Sequence, residues 1–149
     1  MLRVIEVVEV PAEATYQLRR AVLRDGTPSD VVAFDGDDLP NTFHLAARDE
    51  GGSIVGIASF MERPHPDLPA ATYQLRGMAT SPWCRGRGVA GAILDEGLRR
   101  LTARDVQQVW ARARVSALGF YLGHGFETHG DEYVDTTTAL PHVDITRRT

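Results

Sequence analysis

The spacing of apolar and polar positions divides the chain into short segments of two periods. Leu2 to Val10 is rich in β-branched residues and reads as a first strand. Pro11 suits a first helical position, and Ala14, Leu18, Ala21 and Val22 recur at i, i+4, i+7 and i+8, the spacing of an amphipathic helix ending near Leu23. Asp25-Gly26-Thr27-Pro28 stops it. Ser29 to Thr42 is weakly patterned and carries Asp35, Asp37 and Asp38, which predicts a long loop or irregular helix of the kind that covers a site. Phe43 to Arg48 and Ser53 to Phe60 flank the hairpin signal Glu50-Gly51-Gly52 and read as an antiparallel pair. Arg63 to Pro69 holds three prolines and must be a connection, after which Thr72 to Thr80 is a strand. A helix follows from about Gly88 to Ala103, with Ala90, Leu94, Leu98 and Leu101 inward and Asp95/Arg99 and Glu96/Arg100 as outer i,i+4 pairs. Val106 to Ala113 is a strand, and Ser116 to Leu122 a short helix capped by Ser116 and stopped by Gly123-His124-Gly125. Phe126 to Val134 and His142 to Arg147 are closing strands around Thr136-Thr137-Thr138. This order predicts one α/β (α+β) domain over residues 1–149, a mixed, mostly antiparallel sheet of six or seven strands flanked by helices.

Composition narrows the class. A chain of 149 residues can bury roughly 68–70% of its unfolded surface, so one domain suffices. With 43% hydrophobic residues and apolar runs far short of the roughly 20 residues of a membrane span, no membrane partner is expected. Met1 to Glu6 carries charge where a signal peptide would be apolar, so a cytoplasmic location is expected. Cys84 is the only cysteine, which excludes an internal disulfide and a multi-cysteine zinc site. The five histidines lack ligand spacing, and no metal is expected. The net charge of −4 argues against nucleic acid as a partner. Arginines 76, 85, 87, 99, 100, 104, 112 and 114 could still make a local positive field. Most of them read as solvated or paired, with Arg85 and Arg87 as exceptions.

Those two lie in Arg85-Gly86-Arg87-Gly88-Val89-Ala90-Gly91, directly ahead of the long helix. Glycines let a loop turn its amides inward, and the amides of a helix start carry partial positive charge, so together they cradle an anion. Gly86, Gly88 and Gly91 formally satisfy the dinucleotide fingerprint G-x-G-x-x-G. A dinucleotide loop should be followed about 20 residues on by an acid ending a second strand, whereas Arg104-Asp105 precedes the next strand.

Arg85, Gly88 and Ala90 fit a second pattern, Q/R-x-x-G-x-G/A, preceded here by Tyr73 to Thr80 and Ser81-Pro82. This resembles the acetyl-CoA core of the GCN5-related N-acetyltransferase (GNAT) superfamily. Ala117-Leu118-Gly119-Phe120-Tyr121 with Gly125-Phe126 is similar to the family's later motif, and the likeness runs loosely from Leu2 to Ile145. The wording around Tyr73 to Thr80, Trp110 to Arg114 and Pro141-His142-Val143 resembles a bacterial subgroup. Related sequences often carry an asparagine where this chain has Arg112-Ala113-Arg114.

The resemblance implies an acyl-CoA N-acyltransferase fold whose sheet is splayed near its middle, with acetyl-CoA as cosubstrate in the splay. It implies that Arg85, Gly86, Arg87, Gly88, Val89, Ala90 and Gly91 hold the pyrophosphate. Met78, Ala79 and Thr80 would then hold the pantetheine arm and acetyl carbonyl, with Phe120 and Tyr121 beside them. Tyr121 is the implied acid for the leaving thiolate, since a phenol with a pKa of about 10 is protonated at neutral pH. The amide near Ala79 is the oxyanion donor, freed by an irregularity at Gly77. The general base is open among Glu62, His44, His142, Asp35 and Glu132, with His44 and His142 leading. Cys84 reads as a buried thiol, and Trp83 and Trp110 as packing residues. The acids of the first loop hint at a cationic acceptor amine on a small molecule or peptide. Related proteins often dimerise, which makes a homodimer an open assembly. Two alternatives remain, a non-catalytic acyl-CoA sensor module and a nucleotide-binding oxidoreductase.

Overall fold

The computed structural model describes residues 6–149, and positions 1–5, including the expected start of the first strand at Leu2, lie outside the described residues. Strands β1 (Glu6–Val10), β2 (Phe43–Arg48), β3 (Ile54–Glu62), β4 (Ala71–Thr80), β5 (Gln108–Arg114), β6 (Glu127–Val134) and β7 (Pro141–Arg148) form one 7-stranded sheet. Their order is β1-β2-β3-β4-β5-β7-β6. Every neighbour is antiparallel except β4 and β5. That parallel pair needs a long crossover, which helix α2 (Val89–Ala103) supplies.

The sheet is covered on both faces. On one, Val89, Ile93, Leu94, Leu98 and Leu101 of α2 pack with Phe43, Leu45, Phe60 and Leu75 of the sheet, joined by Tyr121 of the short helix α3 (Leu118–Gly123). The helix lies close because Gly97 faces the Phe60 ring, where a Cβ would come within 2.1 Å of a ring carbon. On the outer face of α2 the expected Glu96/Arg100 pair forms at 2.7 Å. Arg99 also turns to Glu96, at 2.6 Å, and not to Asp95. Arg100 reaches Glu9 of β1 as well, tying helix to sheet edge.

The opposite face is covered by helical segment α1 (residues 12–23), built from a 3-10 turn Ala12–Thr15, an α turn Tyr16–Leu18 and a π turn Arg19–Leu23. Leu18 and Val22 pack on Val10, Ala46, Ile57 and Ala79. The expected inward Ala21 is exposed, and the fully buried positions are Thr15 and Arg19. Changing from three to five residues per hydrogen-bonded turn rotates the buried stripe away from the 3.6-residue period that the sequence suggests. Arg19 gives paired bonds to Asp37 at 2.7 and 3.0 Å and further bonds to Ser59 Oγ and the Val32 carbonyl. Asp37 therefore ties the 29–42 segment, an irregular loop with turns, to the sheet.

Candidate active site

The parallel ladder between β4 and β5 ends at Leu75 paired with Ala111. Beyond it, residues 76–80 of β4 have no strand partner on that side, and the two strands part. β4 is also bulged: Ile57 opposes Ala79 and Ser59 opposes Arg76, leaving Gly77 and Met78 opposite Ala58 alone. Gly77 has φ +62°, and a Cβ there would lie 2.9 Å from the Phe34 ring. Glycine is required twice, for the left-handed backbone and for the aromatic ring laid over it.

The opening is a cleft of about 210 Å³ lined from both faces of the sheet, by Met78, Ala113 and Tyr121 among others on one side and Phe34, Arg76 and His142 on the other. Tyr121 is buried in α3, its ring edge-on to Phe126 at 5.4 Å, and burial pushes its phenol up to about 12. β5 continues to pair with β7 past the splay, so that Arg114 opposes His142 and brings that ring to the cleft. His142 Nδ1 lies 2.9 Å from the Leu140 carbonyl. A carbonyl only accepts, so Nδ1 carries a hydrogen, and in the neutral ring the lone pair lies on Nε2.

His44 is placed elsewhere. It is buried with Nδ1 2.6 Å from Ser59 Oγ and Nε2 3.0 Å from the Asp37 carbonyl, and it takes no part in the cleft lining. Both ring nitrogens are occupied, Nδ1 by Ser59 of β3 and Nε2 by the 29–42 segment. Glu62 bonds Asn41, Asp35 is paired with Arg63 at 3.5 Å with its side chain fully exposed, and Glu132 is exposed on the outer strand β6.

Loop 85–88 leads into α2 with Gly86 at φ +77° and Gly88 at φ +81° as the left-handed residue before the helix. Ala92 donates to the Gly88 carbonyl, so the amides of Val89, Ala90 and Gly91 are the unsatisfied donors of the first turn, with no acid there to compete for them. Phe120 lies apart from the cleft and packs at a tilt against His124, whose ring sits 3.2 Å from where a Gly91 side chain would begin. Cys84 is buried as expected, its thiol against the Ser81 and Val55 carbonyls, and burial pushes its pKa up. Trp110 is buried and donates to the Arg63 carbonyl, but Trp83, expected to pack, is 59% exposed beside the loop. Away from the cleft, His65, Asp67 and His129 bring potential ligand atoms within 4.8 Å of one another. There the His65 nitrogens are already engaged by Asp144 Oδ2 and the Asp67 amide.

The profile of the Acetyltransferase (GNAT) family matches residues 12–126, from the first helical segment to the end of the Phe120-Tyr121 motif. The chain belongs to this family. Among relatives, YitI, an uncharacterised N-acetyltransferase of Bacillus subtilis, is 30% identical over 130 residues, covering 87% of both chains. An acyl-CoA N-acyltransferase from Pseudomonas aeruginosa superposes with a TM-score of 0.78 at 16% identity, covering 96% of this chain and 99% of that one. An aminoglycoside 6'-N-acetyltransferase complexed with coenzyme A does so at 0.74 and 10% identity, covering 97% of each. The protein is thus an N-acetyltransferase by class with a GNAT fold. The dinucleotide alternative fails on architecture, because a GNAT sheet is mostly antiparallel and the loop's helix leads to no strand ending in a ribose-binding acid. No helix among the described residues is long and apolar enough to cross a membrane.

Proposed function

We propose that the protein moves the acetyl group of acetyl-CoA to the nitrogen of an amine by direct attack, without an acetyl-enzyme. The observation that carries this reading is the meeting, at one cleft, of the freed β4 edge, the Tyr121 phenol and the His142 ring.

The backbone suits an acyl-CoA. Val89, Ala90 and Gly91 offer convergent amides at a helix start, with Gly86 and Gly88 leaving open space above them. Residues 78–80 offer an unpaired strand edge for the amides of a pantetheine arm. When bound, acetyl-CoA supplies an activated thioester whose sulfur leaves as a thiol. The amide near Ala79, beside the bulge, donates to the carbonyl oxygen as negative charge grows on it. His142 Nε2 accepts the proton that the attacking nitrogen loses, directly or through water. Tyr121 gives its proton to the departing sulfur, and its raised pKa keeps that proton in place across the neutral and moderately alkaline range.

A thiol-release assay with acetyl-CoA and a panel of amines, amino acids and peptides tests the activity. Tyr121→Phe is expected to lower kcat at least about a hundredfold while acetyl-CoA affinity stays within about twofold. Unchanged turnover in that variant removes the acid role, and acetyl-CoA binding without any turnover favours a sensor module. Calorimetry with NAD(P) in parallel completes the test: NAD(P) binding without acetyl-CoA binding defeats the reading.

A further inference from the structure

The charge around the acceptor side of the cleft has the opposite sign to the one that the acidic first loop suggests. Asp37 is consumed by Arg19, and Asp35 lies outside on Arg63. Beside Phe34 and His142, the cleft is lined by five arginines, Arg24, Arg63, Arg76, Arg112 and Arg114. Among the described residues none of Arg24, Arg76, Arg112 and Arg114 has a carboxylate within 4.0 Å. Arg24 and Arg114 are held by the carbonyls of Val31 and Leu23, Arg76 by the Asp35 carbonyl, and Arg112 lies over the Trp110 ring. These contacts orient the guanidinium groups without neutralising them. The acid in the lining, Asp135, accepts from the Thr138 amide and hydroxyl.

The crowding is costly. Burial, then the charges of Arg63 and Arg112, push the Arg76 guanidinium down to about 10, and burial followed by Arg24 lowers Arg114. A protein of net charge −4 has carboxylates to spare elsewhere, yet this cleft sets its arginines against one carboxylate, Asp135, whose charge acts on Arg24 and Arg114 and leaves the positive charge in excess. A second observation points to a ligand independently. Gln74 is 2% exposed, lines the same cleft, and its Oε1 has no hydrogen-bond partner. An orphaned buried acceptor is expensive unless a donor comes to it. An N–H of the incoming amine is such a donor.

Resting on the acetyl-transfer reading, we infer that the acceptor is a small amine that also carries an oxyanion, a carboxylate or a phosphate. The oxyanion is gripped by Arg76, Arg112 and Arg114, and an amine N–H bonds Gln74. The guanidinium fork matches either oxyanion in paired hydrogen bonds.

Acceptors in matched pairs test this, with CoA-thiol release giving rates and calorimetry on the CoA-saturated enzyme giving affinities. Phenylalanine against phenylalaninamide isolates the carboxylate, and phosphoethanolamine against ethanolamine isolates the phosphate. In at least one pair the anionic member should react or bind at least tenfold better. Arg112→Gln, which alters an exposed side chain, should erase most of that advantage while leaving acetyl-CoA affinity unchanged, and Arg76→Gln should act likewise. If acetyl-CoA binds but neither anionic member outperforms its neutral counterpart, this inference is overturned and acetyl transfer survives. A loss of acetyl-CoA affinity in Arg112→Gln and Arg76→Gln also overturns it, by assigning these arginines to the cofactor. If acetyl-CoA does not bind wild-type protein at all, both readings fall.

Discussion

Arg19 is a cation with no exposure; its terminal nitrogens are satisfied by Asp37, Ser59 and the Val32 carbonyl with the Phe34 ring 3.8 Å away, while its Nε has no partner. Removing Asp37 strands that charge, so Asp37→Ala should cost about 3–5 kcal/mol in urea unfolding. Burial alone would raise the Asp37 pKa, but the bonds from Arg19 and the Phe34 amide hold it below the usual carboxylate range. A depressed folded pKa gives stability that is present above the unfolded value, about 3.9, and is lost as pH falls through the folded one. Wild-type stability should therefore drop below about pH 4 more steeply than that of Asp37→Asn, compared in urea titrations at stepped pH. Residue roles were unevenly legible in the sequence. Tyr121 and Gly77 carried signals, a motif tyrosine and a glycine inside a strand. The burial of Arg19 carried none, and the cluster of arginines suggested a local positive field without saying which of them share a cleft, because an arginine's partner is chosen by tertiary contacts that no local spacing encodes.

Elements were easier to read where one period runs unbroken. α2 and the hairpin of β2 and β3 follow from spacing and turn chemistry, whereas α1 passes through three helical geometries and its stripe drifts. Close approach by α2 also leaves a testable mark. Gly97→Ala should gain about 1 kcal/mol of helix propensity and still destabilise the fold by about 1–3 kcal/mol, because the new methyl group must displace the Phe60 ring. Thermal and urea unfolding would read the net sign, and a more stable Gly97→Ala would show that the contact relaxes freely. At the other end of α2, Gly88 stands at φ +81° before the amides assigned to pyrophosphate. Gly88→Glu adds backbone strain and a repelling charge, so acetyl-CoA affinity in calorimetry should fall at least tenfold. A change within about twofold, roughly 0.4 kcal/mol, would refute the loop assignment.

At the scale of the molecule, the site exists because two neighbouring strands stop pairing. That event is invisible in the strands themselves: β4 runs through ordinary strand residues from Thr72 to Leu75, and β5 is apolar from Val109 to Ala111, up to the point where Arg112 begins the splay. The insertion of β7 between β5 and β6, which delivers His142, is likewise a matter of long-range pairing, and a two-residue period says which face a side chain takes but not which strand lies beside it. Cys84, sealed under the turn that joins β4 to α2, gives the finished architecture a practical use. As the one thiol of the chain, fully covered and with a raised pKa, it should stay silent toward an aromatic disulfide reagent while the protein is folded. The colour released during turnover then counts coenzyme alone, and denaturant should add one equivalent per chain. A single cuvette thus reports the chemistry and, afterwards, the integrity of the protein that performed it.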